Sequence, residues 1–525
     1  MTDRVTLDRR QFVRTSGMGL AGLAASWPWS APGAADPPPN ILLFLVDDLG
    51  WQDLSEPFDV RRSPFNDRYR TPNVERLAKE GVKFTQAYAC AVCSPTRVSL
   101  MTGMNAARHR VTNWTLEKNE STDEAHPALT FPEWNVNGMS PTPGIEHTVH
   151  ATPLPAILRN AGYATIHCGK AHLGAVGTPG QDPLALGFEV NIAGHAAGAP
   201  GSHLGIHDFS SDWRKGDRVW DVPGLDEYHG KDVFLTQALT ERAIAALDAP
   251  IAARRPFFLY MSHYTVHTPI EADNRFMKRY VDAGLDPIEA RYASMIEGMD
   301  KSLGDLMAYL ERKGVAENTI VIFMSDNGGL SATGRGGEPN THNRPLSSGK
   351  GSAHEGGIRE PLIVKWPGVV RRGTVETTPV IIEDFFPTLA EMAGAGRPRV
   401  VQTIDGVSFV PLLRRTAAAP RDRALFWHFP NNWGPKGPGI GASSTVRLGD
   451  WKLIYYHADR RFELFDLAHD LGETTNLAGK HPERVRALAA RLTRHLTSVG
   501  AQMPTDKTTG RPVPWPSDAA AGKGV

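Results

Sequence analysis

Ile41-Leu42-Leu43-Phe44-Leu45-Val46 is apolar at every position and stops at Asp47-Asp48. A half-buried strand alternates apolar and polar side chains. A run without alternation belongs to a strand covered on both faces, as in parallel sheets. Three further runs repeat the pattern. Ile320-Val321-Ile322-Phe323-Met324 stops at Ser325-Asp326-Asn327-Gly328, and Phe257-Phe258-Leu259-Tyr260-Met261 enters a loop holding His263 and His267. Tyr163-Ala164-Thr165-Ile166 leads to Gly169-Lys170 and His172. Helical patterns lie between these runs. Thr71-Pro72 is a start signal with Gly81 as its stop, and Tyr292, Ile296, Met299, Leu303, Leu306 and Leu310 mark one helix face. Strands alternating with helices predict an α/β fold, a large and mostly parallel sheet sandwiched by helices. Ligands of such sheets sit beyond the carboxyl ends of the strands. Four buried strands that end in acid, amide, lysine or histidine are therefore expected to converge on one site.

The chain has 525 residues, 41% hydrophobic and 22% charged, enough apolar material for a large core spread over about two to four domains. Formal net charge is 0 and the pI is about 7.4, so no global field recruits nucleic acid or an anionic membrane. Any bound anion must be caught by a local cluster. At the N-terminus, Asp8-Arg9-Arg10-Gln11-Phe12 precedes a Gly/Ala-rich run from Thr15 to Trp29 and the small residues Gly33-Ala34-Ala35. This reads as a twin-arginine export signal over residues 1–35. The run is too short and too rich in Gly and Pro to span a bilayer, which takes about 20 apolar residues. The expected partner is the twin-arginine translocase, with the periplasm or exterior as destination and no stable membrane insertion. A catalytic domain is expected over residues 37–395. Beyond it, Trp451-Lys452-Leu453-Ile454-Tyr455 and Phe462-Glu463-Leu464-Phe465 alternate like half-buried strands, and a helix runs from Pro482 to Leu496. Residues 396–502 thus read as a smaller C-terminal α+β domain, and the Pro/Gly/Thr-rich residues 503–525 as a loose tail.

The segment with most chemistry is Cys93-Ser94-Pro95-Thr96-Arg97-Val98-Ser99-Leu100-Met101-Thr102-Gly103. Ser94 before Pro95 is a helix start. It sets Cys93 at the positive end of a helix, where thiolate character and anion binding are favoured. Arg97, one turn on, adds a bidentate donor for an oxyanion. A structural cysteine before a capped helix explains this segment alone equally well. Cys90, Cys93 and Cys168 are the only cysteines. Cys90 and Cys93 form a C-x-x-C without a second pair, which argues against zinc. Asp47, Asp48, Asp326 and Asn327 offer only oxygen ligands and three negative charges, a set for calcium or magnesium rather than zinc or copper. Each pair alone fits a strand-end turn; two pairs closing two buried strands favour a metal.

Cys-x-Pro-x-Arg followed by Leu-x-Thr-Gly resembles the signature of the type I sulfatases of the alkaline phosphatase superfamily, of the arylsulfatase and N-acetylgalactosamine-6-sulfatase-like kind. Further motifs follow in family order: Thr71-Pro72-Asn73, Gly169-Lys170-Ala171-His172-Leu173-Gly174, His267-Thr268-Pro269, Asp326-Asn327-Gly328, and Gly349-Lys350-Gly351 through Glu355-Gly356-Gly357-Ile358-Arg359-Glu360-Pro361. The likeness covers roughly residues 40 to 480. It implies an alkaline phosphatase-like fold and hydrolysis of sulfate esters to alcohol and inorganic sulfate. It implies that a formylglycine-generating enzyme converts Cys93 to formylglycine (3-oxoalanine), an aldehyde that works as its hydrate. One divalent cation, calcium first and magnesium second, would be held by Asp47, Asp48, Asp326, Asn327 and residue 93. By the same resemblance Arg97 and Lys170 steady the hydrate and His172 takes its proton. Lys170, Lys350 and His267 hold sulfate and leaving oxygens, with His267 as proton donor. There are two departures. Pro345 to Gly349 lacks the Arg-Gly that relatives often carry, and Ala171 stands where an aromatic is common.

The expected substrate is a sulfated sugar from an extracellular polysaccharide, or an aryl sulfate. Trp114, Trp134, Trp213, Trp220, Trp427 and Trp433 suit stacking on sugar rings. His428, in Trp427-His428-Phe429-Pro430, is expected to hydrogen-bond the sugar at a domain joint. Two alternatives stand beside this reading. One is a phosphonate or phosphodiester hydrolase of the same superfamily. The other is a catalytically silent carbohydrate-binding relative, expected to have lost one of Cys93, Arg97, Lys170, His267 or Lys350, all of which are present.

Overall fold

The four apolar runs are neighbouring strands. In the computed structural model, which describes residues 37–330, 343–396, 398–416 and 423–522, they belong to a nine-stranded sheet. Its strands are β1 (Asn40–Val46), β2 (Val82–Tyr88), β3 (Ala164–Gly169), β4 (Val190–Ile192), β5 (Phe257–Ser262), β6 (Thr319–Ser325), β7 (Arg359–Lys365), β8 (Thr374–Glu376) and β9 (Val380–Ile381). The order is β8-β2-β7-β6-β1-β5-β3-β4, with β9 also on β2. β7 runs antiparallel to both its neighbours, and every other pairing is parallel. The export signal read over residues 1–35, with Arg9 and Arg10, lies outside the described residues.

The missing alternation has a direct cause. Every residue of β1, β3, β5 and β6 is buried. Ile41, Leu43, Leu45, Phe258, Tyr260, Ile320 and Ile322 face one core, and Leu42, Phe44, Val46, Phe257, Leu259, Val321 and Phe323 the other. Each fully buried Leu, Ile or Phe contributes about 1.5–3 kcal/mol, so both faces must be covered. The first core is closed by α1 (Cys93–Thr102) and α4 (Phe385–Met392), the second by α2 (Leu235–Ala252) and α3 (Pro287–Arg312). Gly81 does end the helix Pro72–Glu80, but in an extended conformation rather than a left-handed cap. A Cβ there would lie 2.5 Å from the Val364 carbonyl oxygen, so the glycine serves the close approach to β7.

Register brings the strand ends together. Leu45 pairs with Ser262, Val46 with Ser325, and Gly169 with Ser262. Asp47, Asp326, His263 and Lys170 therefore leave one sheet edge side by side. Gly169 has φ +101, and a Cβ there would sit 1.9 Å from the Ser262 carbonyl oxygen. Only glycine lets β3 come this near β5 immediately before Lys170.

A four-stranded antiparallel sheet follows: β10 (Ala424–Phe429), β11 (Ser443–Leu448), β12 (Trp451–Tyr456) and β13 (Phe462–Asp466). The helix α5 (Pro482–Ser498) packs Val485, Leu488, Ala489, Leu492 and Leu496 on it. Several contacts stitch this sheet to the larger one, among them the Arg447 guanidinium on the Tyr88 hydroxyl. Trp427 Nε1 donates to the Ala89 carbonyl (2.8 Å), and the wholly buried Lys452 pairs with Glu355 (3.0 Å) and Glu473 (2.8 Å). Residues 503–522 depart from the loose tail expected of them. Thr505–Asp506 pairs with Leu129–Thr130 and Arg511–Pro512. Val513 is buried beside Leu129 and Tyr455, and Trp515 packs on the α5 core. Two anchoring apolar residues outweigh a composition rich in turn formers.

Candidate active site

Two carboxylate-bearing turns meet at the sheet edge. Asp47 and Asp48 follow β1, Asp326 and Asn327 follow β6, and all four are wholly buried. The Asp48 amide donates to Asp326 Oδ1 (3.2 Å), and Asn327 Nδ2 donates to Asp48 Oδ1 (2.8 Å). Lys170 Nζ lies 2.9 and 2.8 Å from the two Asp47 oxygens, and Lys350 Nζ lies 2.7 Å from Asp48 Oδ1. Arg97 donates from Nε (3.0 Å) and Nη2 (2.8 Å) to Asp326 Oδ2, and from Nη1 to the Lys170 carbonyl (3.0 Å) and Ser262 Oγ. Three buried carboxylates thus face three buried cations. An uncompensated charge here would cost several kcal/mol, so the pairing is what allows the cluster to exclude water. Burial pushes the Asp47 carboxyl well up, against the pull of Lys170. At Asp48 burial acts the same way, but Lys350, His267 and Lys170 outweigh it and hold that carboxyl below its usual range.

Cys93 opens α1 with Val92 as N-cap, so the helix starts two residues earlier than a Ser94 cap followed by Pro95 would place it. Pro95 falls in the first turn, where its missing N–H leaves no intrahelical bond unmade. His172 has φ +52, and its Nε2 lies 2.8 Å from the Thr115 carbonyl, to which it donates. Burial, then Lys170 and Arg97, hold this ring neutral. Its buried Nδ1 is therefore an acceptor, and it meets no hydrogen-bond partner among the described residues. His267 donates from Nδ1 to the Thr268 carbonyl (2.9 Å) and turns Nε2 toward Asp48 Oδ2 at 3.6 Å. Burial and Lys350 press its pKa down to about 3.

A cleft of about 630 Å3 opens over this cluster, lined by Cys93, His172, His267 and Lys350. Trp114, Trp220 and Trp433 form its aromatic surface. Lys350 Nζ lies 5.8 Å from the Trp433 ring centre, and a Cβ on Gly351 (φ +84) would strike that ring at 2.1 Å. The other three tryptophans are engaged elsewhere. Trp134 is buried and bonds Asp123, Trp427 bonds the Ala89 carbonyl, and Trp213 stacks on His207.

His428 does not reach the cleft, contrary to expectation. Its Nδ1 takes the Ser444 hydroxyl (2.8 Å) and its Nε2 donates to the Gln502 carbonyl (2.9 Å). The side chain is 4% exposed, so both ring nitrogens are committed to protein partners and none is left for a sugar. Cys90 and Cys168 are buried and unpaired, as core residues. Four groups near the site escaped sequence reading. Ser262 ends β5 and was legible as a strand-end hydroxyl. Glu360 lies inside β7 with neither carboxyl oxygen partnered among the described residues, and burial, then Asp326 and Asp48, push its pKa well up; a lone acid within an apolar strand was its signal. Arg214 and Asp217 line the cleft from short irregular turns that carry no periodicity.

The residues fit a hard divalent cation. Ligand atoms of Asp47, Asp48 and His267 lie within 4.8 Å of one another. Asn327 Oδ1 is buried with no hydrogen-bond partner among the described residues, an oxygen left over beside three carboxylates. The expected ligand set contained Cys93 and did not contain His267, whose ring nitrogen falls in this group.

The chain is similar to known proteins over most of its length. Residues 39–395 match the family model described as Sulfatase. Residues 349–502 match the one described as N-sulphoglucosamine sulphohydrolase, C-terminal. A sulfatase of Formosa agariphila is 32% identical over 496 residues, covering 86% of this chain and 86% of that one. The N-acetylgalactosamine-6-sulfatase of Homo sapiens is 31% identical over 509 residues, 90% of this chain and 85% of that one. Among solved structures, Ps i-CgsB in complex with k-i-k-neocarrahexaose superposes with TM-score 0.69 at 25% identity, covering 88% of this chain and 93% of that chain. A phosphonate monoester hydrolase from Silicibacter pomeroyi shares the fold at TM-score 0.58 and 19% identity, covering 88% and 95%. The family model spans well over half of the chain, and the relatives match it nearly end to end: this protein belongs to the sulfatase family and is a sulfuric ester hydrolase.

Proposed function

We propose that the protein removes sulfate from a sulfated sugar, using residue 93 as nucleophile after a formylglycine-generating enzyme has converted Cys93 to formylglycine. The observation that carries this reading is the position of Cys93. It opens α1 at the cleft surface, near enough to Arg97 and Lys350 to interact with both charges. The aldehyde hydrate would supply two hydroxyls where serine has one, so that ester cleavage and sulfate release need not use the same oxygen. A divalent cation, calcium first and magnesium second, held by Asp47, Asp48, Asp326, Asn327 and residue 93, would draw charge from the sulfate.

The chain's own groups divide the remaining work. Lys350, Lys170 and His267 gather sulfate oxygens, where cations offset the charge that develops as the ester bond breaks. Arg97, locked by Asp326 and Ser262, steadies residue 93. His172, with its Nε2 proton held by the Thr115 carbonyl, offers Nδ1 to a proton from residue 93. His267 turns Nε2 to the leaving oxygen; the negative sulfate opposes the effect of burial and Lys350 and favours the protonated ring that donation requires. Three tryptophans lining the cleft support a sugar over a small alkyl group. So do the names of the relatives, an N-acetylgalactosamine-6-sulfatase and a protein solved with a neocarrahexaose. The Arg9-Arg10 signal supports export by the twin-arginine translocase to the periplasm or beyond.

The test is sulfate release by calcium-loaded protein co-expressed with a formylglycine-generating enzyme, across sulfated mono- and oligosaccharides beside an aryl sulfate. Release from at least one sugar, faster than from the aryl sulfate, is expected. Release from the aryl sulfate alone would contradict the sugar assignment.

A further inference from the structure

The segment Ser211 to Trp220 is made of two single 3-10 turns, Asp212–Arg214 and Arg218–Trp220, joined through a left-handed Lys215. It has no core of its own, and it brings Arg214, Asp217 and Trp220 to the same cleft as Cys93, His267 and Lys350. Charge separates Arg214 from its neighbours. Arg218 is taken up by Asp221 at 3.1 Å. Arg214 is exposed, and among the described residues no ion pair or side-chain hydrogen bond holds its guanidinium. Glu271 feels its charge, but that carboxylate is committed to the Ser202 hydroxyl and the His203 amide. Asp217 uses one oxygen on the Val219 amide (3.0 Å). Trp114 and Trp220, ring centres 6.4 Å apart, add an aromatic wall.

One sulfate ester does not call for this arginine, because Lys170 and Lys350 already supply cations for it beside the His267 ring. A cleft of about 630 Å3 is of the size that encloses a ligand larger than one sulfated ring. A guanidinium with no protein partner, projecting into such a cleft, is a planar fork matched to a carboxylate or a sulfate. We propose that Arg214 binds a second acidic group, carried by the sugar unit adjoining the one whose ester is cleaved. Asp217 accepts from a hydroxyl of that unit, and Trp220 covers its ring. The substrate class is then an acidic oligosaccharide rather than a lone sulfated sugar. This rests on the sulfated-sugar reading above.

Three synthetic disaccharides test it. All carry the same sulfated unit, and the adjoining unit is neutral, carboxylated or sulfated. Wild-type protein and Arg214→Ala are compared on each, with the desulfated product quantified by mass spectrometry and folding checked by melting temperature. The expected result is a fall in kcat/KM of about tenfold or more on an acidic disaccharide, carried mainly by KM, and less than about twofold on the neutral one. Arg214→Lys should recover part of the loss. A fall on the carboxylated or on the sulfated substrate alone supports the subsite and tells which acid it takes. Equal falls on all three, or no fall on any, overturn the subsite while leaving sulfated-sugar hydrolysis standing. Wild-type protein that desulfates none of the three overturns the underlying reading and the subsite with it.

Discussion

Lys170→Met removes one buried charge and nearly preserves volume, so it isolates the charge matching of the site. Lys170 Nζ lies 2.9 and 2.8 Å from the Asp47 oxygens, and both side chains are wholly buried. Breaking a buried pair by deleting one partner costs about 3–5 kcal/mol. Asp47 keeps Arg97 Nη2 at 3.9 Å, which argues for the lower end, about 3 kcal/mol. The unfolding entropy, about 2.1 cal/mol/K per residue over the roughly 490 residues of the unit Pro38–Val525, is about 1 kcal/mol/K. The melting temperature should therefore fall by about 3 °C if the unit melts as one. The pH dependence has a definite sign. Burial already raises the Asp47 carboxyl above its unfolded value, and losing Lys170 raises it further. A raised folded pKa contributes stability below the unfolded pKa, and that contribution is lost as pH rises through the folded value. The deficit of the variant should thus be smallest near the ordinary aspartate pKa of about 3.9 and should grow as pH rises. Calcium-free wild type and variant, melted at one scan rate from about pH 5 to 8, give the comparison. A deficit under about 1 °C, or one independent of pH, would refute the pairing argument.

Two further outcomes follow from the same geometry. Exhaustive chelation should abolish sulfate release, and calcium or magnesium should restore it, while Asp326→Ala should cost several kcal/mol in transition-state stabilisation because it also strands Arg97; full activity in metal-free protein would contradict the cation site. His428→Ala should lower stability by about 1–3 kcal/mol, since it leaves the Gln502 carbonyl without a partner and Ser444 with His457 alone. Its kcat/KM should stay within about twofold on sugar and aryl sulfates alike, and a loss confined to sugars would reinstate His428 as a substrate contact.

The large sheet was legible because burial on both faces leaves a mark in sequence: β1, β5 and β6 show apolar residues at odd and even positions. The site was legible for a related reason. An acid or lysine placed directly after such a strand must meet a partner, and flush register makes the partners one another. Which lysine takes which aspartate could not be read, because it depends on the reach of side chains across the sheet edge. His428 was misplaced because its partners are non-local. Ser444 faces it across a strand pair, and the Gln502 carbonyl comes from the chain beyond α5. The same holds for residues 503–522, where Val513 finds Leu129 and Tyr455 from distant segments. Arg214 and Asp217 sit in turns whose shape follows from local backbone bonds, such as Lys215 N to the Asp212 carbonyl, and not from a repeating pattern.

The central claim is that the chemistry resides in a modified residue 93, and the tryptic peptide Phe84–Arg97 tests it most directly. Protein co-expressed with a formylglycine-generating enzyme should yield that peptide with an aldehyde in place of the Cys93 thiol. The fraction converted should track the rate of sulfate release across preparations, and Cys93→Ala should be inactive with an unchanged melting temperature. A preparation whose Cys93 is wholly an intact thiol, yet which releases sulfate at the full rate, would contradict the account.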